Sequence, residues 1–267
     1  MSYTLDDLIR LMDALRNPDS GCPWDLEQTF ASIVPHTLEE AYEVADCIER
    51  QDWEHLRDEL GDLLFQVVFY ARMADENQWF DLHAVIDQLV GKLIRRHPHV
   101  FPKGTLDSAG ADPIETDQVS QKWEAIKQQE RNAKSRSGVL DEVPLGLPAL
   151  SRAAKLQRRA ARVGFDWPEI GGVLDKIEEE IGELRQALEQ GDLENAREEI
   201  GDLLFAQVNL ARHLEMDPEQ ALRNTNSKFE RRFGYVEQQV NEGNHEWQQL
   251  PLEQLDQWWD EAKVKGL

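Results

Sequence analysis

Glu179-Glu180-Ile181-Gly182-Glu183, followed by Glu199-Ile200-Gly201-Asp202-Leu203-Leu204-Phe205, decides how this chain is read. The same pattern stands 140 residues earlier: Glu39-Glu40-x-x-Glu43, then Glu59-Leu60-Gly61-Asp62-Leu63-Leu64-Phe65. On a helix, residues three or four apart share a face. Glu180 and Glu183 therefore project together, with Glu179 beside them, and Glu199 and Asp202 project together on the next helix. Gly191 lies midway between Glu183 and Glu199, so both acids sit about 12 Å from the turn at 1.5 Å rise per residue. An antiparallel helical hairpin brings Glu183 opposite Glu199, acid facing acid. Glu40, Glu43, Glu59 and Asp62 have the same symmetry about Gln51. Gly201 inside the second helix costs roughly 1 kcal/mol against alanine, which predicts that something packs close there.

Over 39–72 against 179–212, 16 of 34 positions are identical without a gap. At an offset of 136, Lys92-x-x-Arg95-Arg96 matches Lys228-x-x-Arg231-Arg232, and Trp123 matches Trp259. A repeat this long means tandem domains and not a solenoid. The expected boundaries are 1–131 for the first domain, 132–145 for a linker, and 146–267 for the second. Asn132-Ala133-Lys134-Ser135-Arg136-Ser137-Gly138 is the small, polar stretch that marks the linker.

The pattern predicts an all-α fold. Amphipathic helices are expected at 4–16, from Thr37 (as cap, with Glu40 completing a capping box) to about 50, at 53–75, 81–96 and 117–131. In the second half they are expected at 148–162, 172–189, 193–214 and 218–240, with a last helix carrying Trp258 and Trp259. Cys22-Pro23-Trp24-Asp25 reads as loop. The 53–75 helix is apolar enough to be largely buried. No stretch shows the alternation of a strand.

The formal net charge is −23, from 52 acids against 29 Lys plus Arg. Such a field repels nucleic-acid phosphates and excludes general DNA or RNA binding. Two cysteines without C-x-x-C spacing read as reduced thiols in a cytoplasmic protein. The N-terminus carries no basic and apolar signal segment, and no apolar run reaches membrane-spanning length.

Clustered carboxylates raise each other's pKa unless a cation neutralises them. All-oxygen ligands suit Mg²⁺, with Mn²⁺ as a substitute, and argue against zinc. Mg²⁺ commonly bridges carboxylates and substrate phosphates, which points to phosphoryl substitution by an activated water. Lys228, Arg231 and Arg232 form a basic helical face that could hold phosphate oxygens, and Lys176, one turn before Glu180, could do the same. Each could equally be an ordinary surface cation. Trp167 and Trp259 could stack on a nucleobase or pack in the core. His97-Pro98-His99 lacks further ligands at metal spacing and reads as structural.

These segments resemble the MazG nucleoside triphosphate pyrophosphohydrolases in their two-domain bacterial form. The resemblance rests on Cys22-Pro23-Trp24-Asp25, Leu38-Glu39-Glu40-Ala41-Tyr42-Glu43, 59–69, 95–101, Val163-Gly164-Phe165-Asp166-Trp167 and 228–233. It implies a dimeric helix-bundle assembly, in which helices of both chains of a homodimer build each site. It also implies Mg²⁺-dependent hydrolysis of NTPs and dNTPs to the monophosphate and pyrophosphate, with the broad specificity of a nucleotide-pool cleaner. By resemblance Glu180, Glu183, Glu199 and Asp202 bind the metal and are catalytic, and Lys176, Lys228, Arg232 and Trp259 contact the nucleotide. The first copy keeps its acids (Glu40, Glu43, Glu59, Asp62), but His36 stands where Lys176 stands and Phe69 where Asn209 stands. The second site is therefore expected to carry most turnover, with the first structural, regulatory or weakly active. A narrow dUTP or dCTP hydrolase and a non-catalytic, metal-stabilised interaction platform are the rival readings.

Overall fold

Thr4 opens the first helix, α1 (Leu5–Leu15). Its side chain accepts from the Asp7 backbone N–H, and the Asp7 carboxylate accepts from the Thr4 N–H. Two orphan donors of the first turn are satisfied in this way. The structure is a computed structural model that describes residues 2–110, 119, 126, 138–141 and 143–267. The described residues are helical with connecting turns, and none forms a strand. The chain divides into two compact units, Met1–Arg131 and Asn132–Leu267.

In the first unit α2 (Pro23–Glu27), α3 (Phe30–Arg50), α4 (Trp53–Glu76) and α5 (Leu82–Arg96) follow α1, then a 3₁₀ turn at Leu106–Ser108. α3 and α4 form an antiparallel hairpin, and α1 and α5 pack on α4. The core gathers Met12, Ile33, Val68, Phe69, Ala71, Met73 and Leu82. Asp52 and Asp81 cap α4 and α5 by accepting from His55 and Ala84 N–H groups.

Three expectations need correction here. Cys22-Pro23-Trp24-Asp25 is not all loop: Pro23 starts the short helix α2, where its missing N–H costs nothing. The acidic helix α3 begins eight residues earlier than Thr37, at the Thr29 cap, which Ser32 answers reciprocally. The helix passes through Pro35, whose fixed φ is helical and which forfeits one backbone bond. Thr37 lies inside it, its Oγ1 3.1 Å from the Ile33 carbonyl and 3.0 Å from the Tyr70 hydroxyl. The third correction concerns α4. Val68, Phe69, Ala71, Met73 and Ala74 are buried, but Leu60 and Leu64 remain 50% and 44% exposed. Only one side of α4 meets this unit's core.

The second unit repeats the plan with α6 (Ala149–Ala161), α7 (Ile170–Gln190), α8 (Leu193–His213) and α9 (Pro218–Glu242). A 3₁₀ turn at Trp247–Gln249 and α10 (Leu252–Val264) complete it. α7 and α8 form the hairpin, α6 packs on α8, α9 on α6 and α8, and α10 on α9. The two hairpin turns use the same left-handed residue, Gly191 at φ 71° and Gln51 at φ 58°. Only the glycine adopts it without steric cost. Of the helix expected over 117–131, only 119 and 126 are described; Trp123 and the linker residues 132–137 lie outside the described residues.

Within its own unit Gly201 does not meet the close neighbour expected there, and Gly61 has none either. A Cβ built on either meets nothing within 4 Å, so no neighbour in the same unit requires the glycine.

Candidate metal centre and nucleotide site

The hairpin geometry turns sequence spacing into convergence. Glu180 of α7 and Glu199 and Asp202 of α8 each offer an oxygen, all within 4.8 Å of one another. In the first unit the equivalent group is Glu40 and Glu43 of α3 with Glu59 of α4. The trios are not the same positions. Glu183 and Asp62 stand just outside them, but close enough for their charge to act on Glu199 and Glu40 respectively.

Among the described residues Glu180 is the most enclosed acid, 4% exposed. Its Oε1 accepts from the Lys176 ammonium at 2.8 Å. With the carboxylates ionised, its buried Oε2 has no donor. An orphaned buried carboxylate oxygen is costly, and a cation placed among Glu180, Glu199 and Asp202 would satisfy it. The donor set is all hard oxygen, which fits Mg²⁺ or Mn²⁺.

Three other acids, Glu199, Glu40 and Glu59, report the same crowding. Partial burial, then the charges of Glu183 and Glu180 and hydrogen bonding with Glu180, push the Glu199 carboxyl above the usual range. In the first unit burial, then Asp62, Glu43 and Glu59, raise Glu40, and burial, then Glu43 and Asp62, raise Glu59. Each of these groups is harder to ionise than a free glutamate, and a cation among them would offset that.

Lys176 is where the two copies diverge. Its Nζ lies 2.9 Å from Glu179 Oε1 as well as 2.8 Å from Glu180 Oε1. Hydrogen bonds to Glu180 and then Glu179 hold its pKa above the ordinary lysine value. His36, its counterpart, lies 3.8 Å from Glu39, which corresponds to Glu179 and not to Glu180.

Asn209 is buried, and its Oδ1 accepts from Arg212 Nε at 3.0 Å. Arg212 Nη1 donates to Asp166 Oδ2 at 2.9 Å, its Nη2 pairs with Asp166 Oδ1, and His213 Nε2 lies 3.2 Å from that oxygen. Burial alone would raise Asp166, but the hydrogen bonds from Arg212 and His213 outweigh it and lower the carboxyl. This network ties the loop before α7 to the end of α8. It seats Trp167, whose backbone N–H donates to Asp166 Oδ1 at 3.0 Å. Trp167 crosses Gly172 so closely that a Cβ there would lie 2.4 Å from its Cδ1. Asp166, Arg212 and His213 were not singled out as site organisers from the sequence. The available signal was Asp166 inside the Gly164–Trp167 segment. Arg212, by contrast, is identical to Arg72, which in the first unit pairs with Asp13, Asp75 and Glu76 instead.

The other basic candidates lie on α9, beside Trp259 of α10. Lys228 and Arg231 are exposed on α9. Arg232 donates from Nε to the Leu267 carbonyl at 2.8 Å, and its guanidinium stands 5.8 Å from the Trp259 ring centroid. Trp259 also packs on Phe229, with centroids 5.3 Å apart. The acids thus belong to the α7–α8 hairpin, and the Arg232–Trp259 pair to α9 and α10.

Comparison with known proteins matches this architecture twice over. The model of the MazG nucleotide pyrophosphohydrolase domain matches residues 28–101 and 172–236, each interval holding one acid hairpin. The chain belongs to the MazG nucleotide pyrophosphohydrolase family. It is 49% identical over 261 residues to the nucleoside triphosphate pyrophosphohydrolase of Escherichia coli (strain K12), covering 97% of each chain. It is 43% identical over 258 residues to the nucleoside triphosphate pyrophosphohydrolase/pyrophosphatase MazG of Thermotoga maritima, covering 97% of this chain and 95% of that one. A nucleoside triphosphate pyrophosphohydrolase of Mycolicibacterium smegmatis is 40% identical over 163 residues, 60% of this chain and 47% of its own. Among the described residues no helix is long and apolar enough to cross a membrane.

Proposed function

We propose that this chain is a Mg²⁺-dependent nucleoside triphosphate pyrophosphohydrolase. It converts NTPs and dNTPs to the monophosphate and pyrophosphate with broad base specificity, and the C-terminal site carries most of the turnover. The observation that carries the reading is the convergence of Glu180, Glu199 and Asp202, together with the buried, unpartnered Oε2 of Glu180. The names of the full-length relatives support the substrate class.

Glu180, Glu183, Glu199 and Asp202 would hold the divalent ion. When bound, the ion would neutralise triphosphate charge and make a coordinated water more acidic. Lys176 and the α9 cations Lys228, Arg231 and Arg232 would take phosphate oxygens, with Glu179 orienting Lys176. Trp167, Trp259 and Asn209 would surround the nucleoside. The water oxygen bonds to the α-phosphorus while the bond to the α–β bridging oxygen breaks. Pyrophosphate departs with that electron pair, and the water gives up its proton to a base at the cluster.

C-terminal dominance follows from the surroundings of the acids. Lys176 and Asn209 are polar partners in the second unit, whereas His36 and the fully buried Phe69 occupy those positions in the first. Glu40, Glu43, Glu59 and Asp62 form the second, weaker site. The functional domains are 1–131 and 146–267, joined by 132–145.

The working form is a homodimer. Leu60 and Leu64 of α4, and Ile200 and Leu204 of α8, stand 44–50% exposed at matching positions of the two hairpins. Contiguous exposed apolar stripes mark association surfaces. The free thiols Cys22 and Cys47 support a cytoplasmic setting.

The test is pyrophosphate release from a panel of NTPs and dNTPs, with Mg²⁺ and with EDTA, for wild type, Glu180→Gln and Glu40→Gln. Release from most bases, lost in EDTA and in Glu180→Gln but largely retained in Glu40→Gln, is expected. Selectivity for dUTP or dCTP alone would replace the broad reading, and no release under any condition would favour an interaction platform.

A further inference from the structure

We propose that Lys176 is an exchangeable internal counter-ion: it occupies Glu180 until a divalent ion displaces it, so that metal entry frees its ammonium for the substrate phosphates. The proposal rests on the reading that Glu180, Glu199 and Asp202 hold that ion.

The geometry points to competition and not to simple support. Lys176 Nζ contacts Glu180 Oε1 at 2.8 Å, on the same carboxylate that contributes to the converging trio. That oxygen is one of only two that Glu180 offers, and the other is buried. Lys176 is anchored from the outer side by Glu179 Oε1 at 2.9 Å. Its side chain is one-third exposed while that of Glu180 is 5% exposed, so the lysine lies at the mouth and the acid inside. All three groups are on α7, one turn apart at positions i, i+3 and i+4, so the contact forms without any other element moving. A flexible four-carbon stem lets the ammonium leave while Glu180 stays in place.

A divalent ion arriving at Glu180 meets a unit positive charge already bonded to its ligand. Repulsion between the two at about 5 Å, even at the dielectric constant of water, amounts to roughly a tenfold loss of affinity. Once the ion is in, the same repulsion drives the lysine outward, where an anionic triphosphate would receive it. Metal and nucleotide would then bind with positive coupling. The first unit lacks this device: His36 faces Glu39 at 3.8 Å and leaves Glu40 without it.

The experiment uses the full-length, metal-stripped protein in a Glu40→Gln/Glu43→Gln background, so that only the C-terminal trio is read. Mn²⁺ is titrated at pH 8 without nucleotide, and free Mn²⁺ is followed by electron paramagnetic resonance. Lys176→Met is expected to bind Mn²⁺ about tenfold more tightly than its parent, and Lys176→Arg to stay within about threefold of it. Equal or weaker binding by a folded Lys176→Met would overturn the counter-ion role while leaving the metal reading intact. A parent that binds no Mn²⁺, or whose binding is untouched by Glu180→Gln, would overturn both. A second measurement is made on the protein with Lys176 in place and uses Lys176→Arg only to assign the signal. In the ¹⁵N spectrum of lysine ammonium groups, Mg²⁺ should move the Lys176 resonance, identified by its absence in Lys176→Arg. An unmoved Lys176 signal at saturating Mg²⁺ would also sink the proposal.

Discussion

Arg16, at the end of α1, grips Glu76, at the end of α4, with two hydrogen bonds: Nε to Oε1 at 2.9 Å and Nη2 to Oε2 at 2.7 Å. Arg16 is 8% exposed, stands over the Phe69 ring at 5.3 Å, and also donates to the Asp25 carbonyl of α2. One guanidinium thus joins three helices of the first unit. Glu76→Gln should destabilise that unit by roughly 2 kcal/mol, because a buried cation loses its partner. A urea melt monitored at the first unit reads this loss. The hydrogen bond from Arg16 lowers the Glu76 carboxyl below its ordinary value of 4.5. The stabilisation is therefore complete above that value and fades as pH falls through the lowered one. The variant should show a shallower acid limb than wild type.

The crowded acids have the opposite sign. Glu199 is raised above 4.5 by burial and by Glu183 and Glu180. The folded state then holds its proton more tightly than the unfolded chain does, so stability falls as pH rises from the ordinary value through the raised one. In EDTA, the melting temperature of wild type should fall more than that of Glu199→Gln as pH rises above 4.5. Saturating Mg²⁺ should remove most of the difference. Parallel profiles for the two proteins in EDTA would contradict the assignment.

Gly172 leaves room for Trp167, and its replacement by alanine would put a Cβ 2.4 Å from the indole. The ring must shift, while the helix gains from alanine's propensity. The clash outweighs that gain, so Gly172→Ala should lower stability by about 1 kcal/mol and change tryptophan fluorescence. If Trp167 flanks the nucleoside as proposed, KM for nucleotide should rise several-fold with kcat within about twofold. An unchanged KM would remove Trp167 from the site.

Leu204 stands 48% exposed on α8, one turn from Ile200 at 49%. Leu204→Glu should leave the unit folded, since half of the side chain already faces solvent and the rest costs little, and should convert a homodimer to monomers in light scattering. Gly201 lies on the same helix with open space around it. Gly201→Ala should likewise weaken association, if a second copy is what approaches there. A dimer unaffected by both substitutions would place the interface elsewhere.

Much of this architecture is periodic and therefore local. The spacing of Glu39, Glu40 and Glu43, with Gly61 to Phe65 after them, identified the hairpins, their number and their faces, because 3.6 residues per turn is a property of neighbouring residues. The start of α3 escaped, since Thr37 and Glu40 imitate a capping box and Pro35 looks like a break, while Thr29 and Ser32 form the actual cap. Exposure of Leu60 and Leu64 escaped for a different reason: an apolar stripe in a sequence does not say whether the rest of its own chain covers it.

The sequence by itself established an all-α chain with two acid hairpins and a strongly negative surface. Tertiary structure decided which acids meet. Glu180, Glu199 and Asp202 converge in one unit and Glu40, Glu43 and Glu59 in the other, although all the parent positions are identical. It also decided that Lys176 closes on Glu180 while His36 stands by Glu39, and that Arg212 and Arg72 serve different carboxylates. Helical pitch sets the direction of a side chain to within a face. The last few ångströms depend on rotamers and on charges from distant segments such as Asp166 and Asp13.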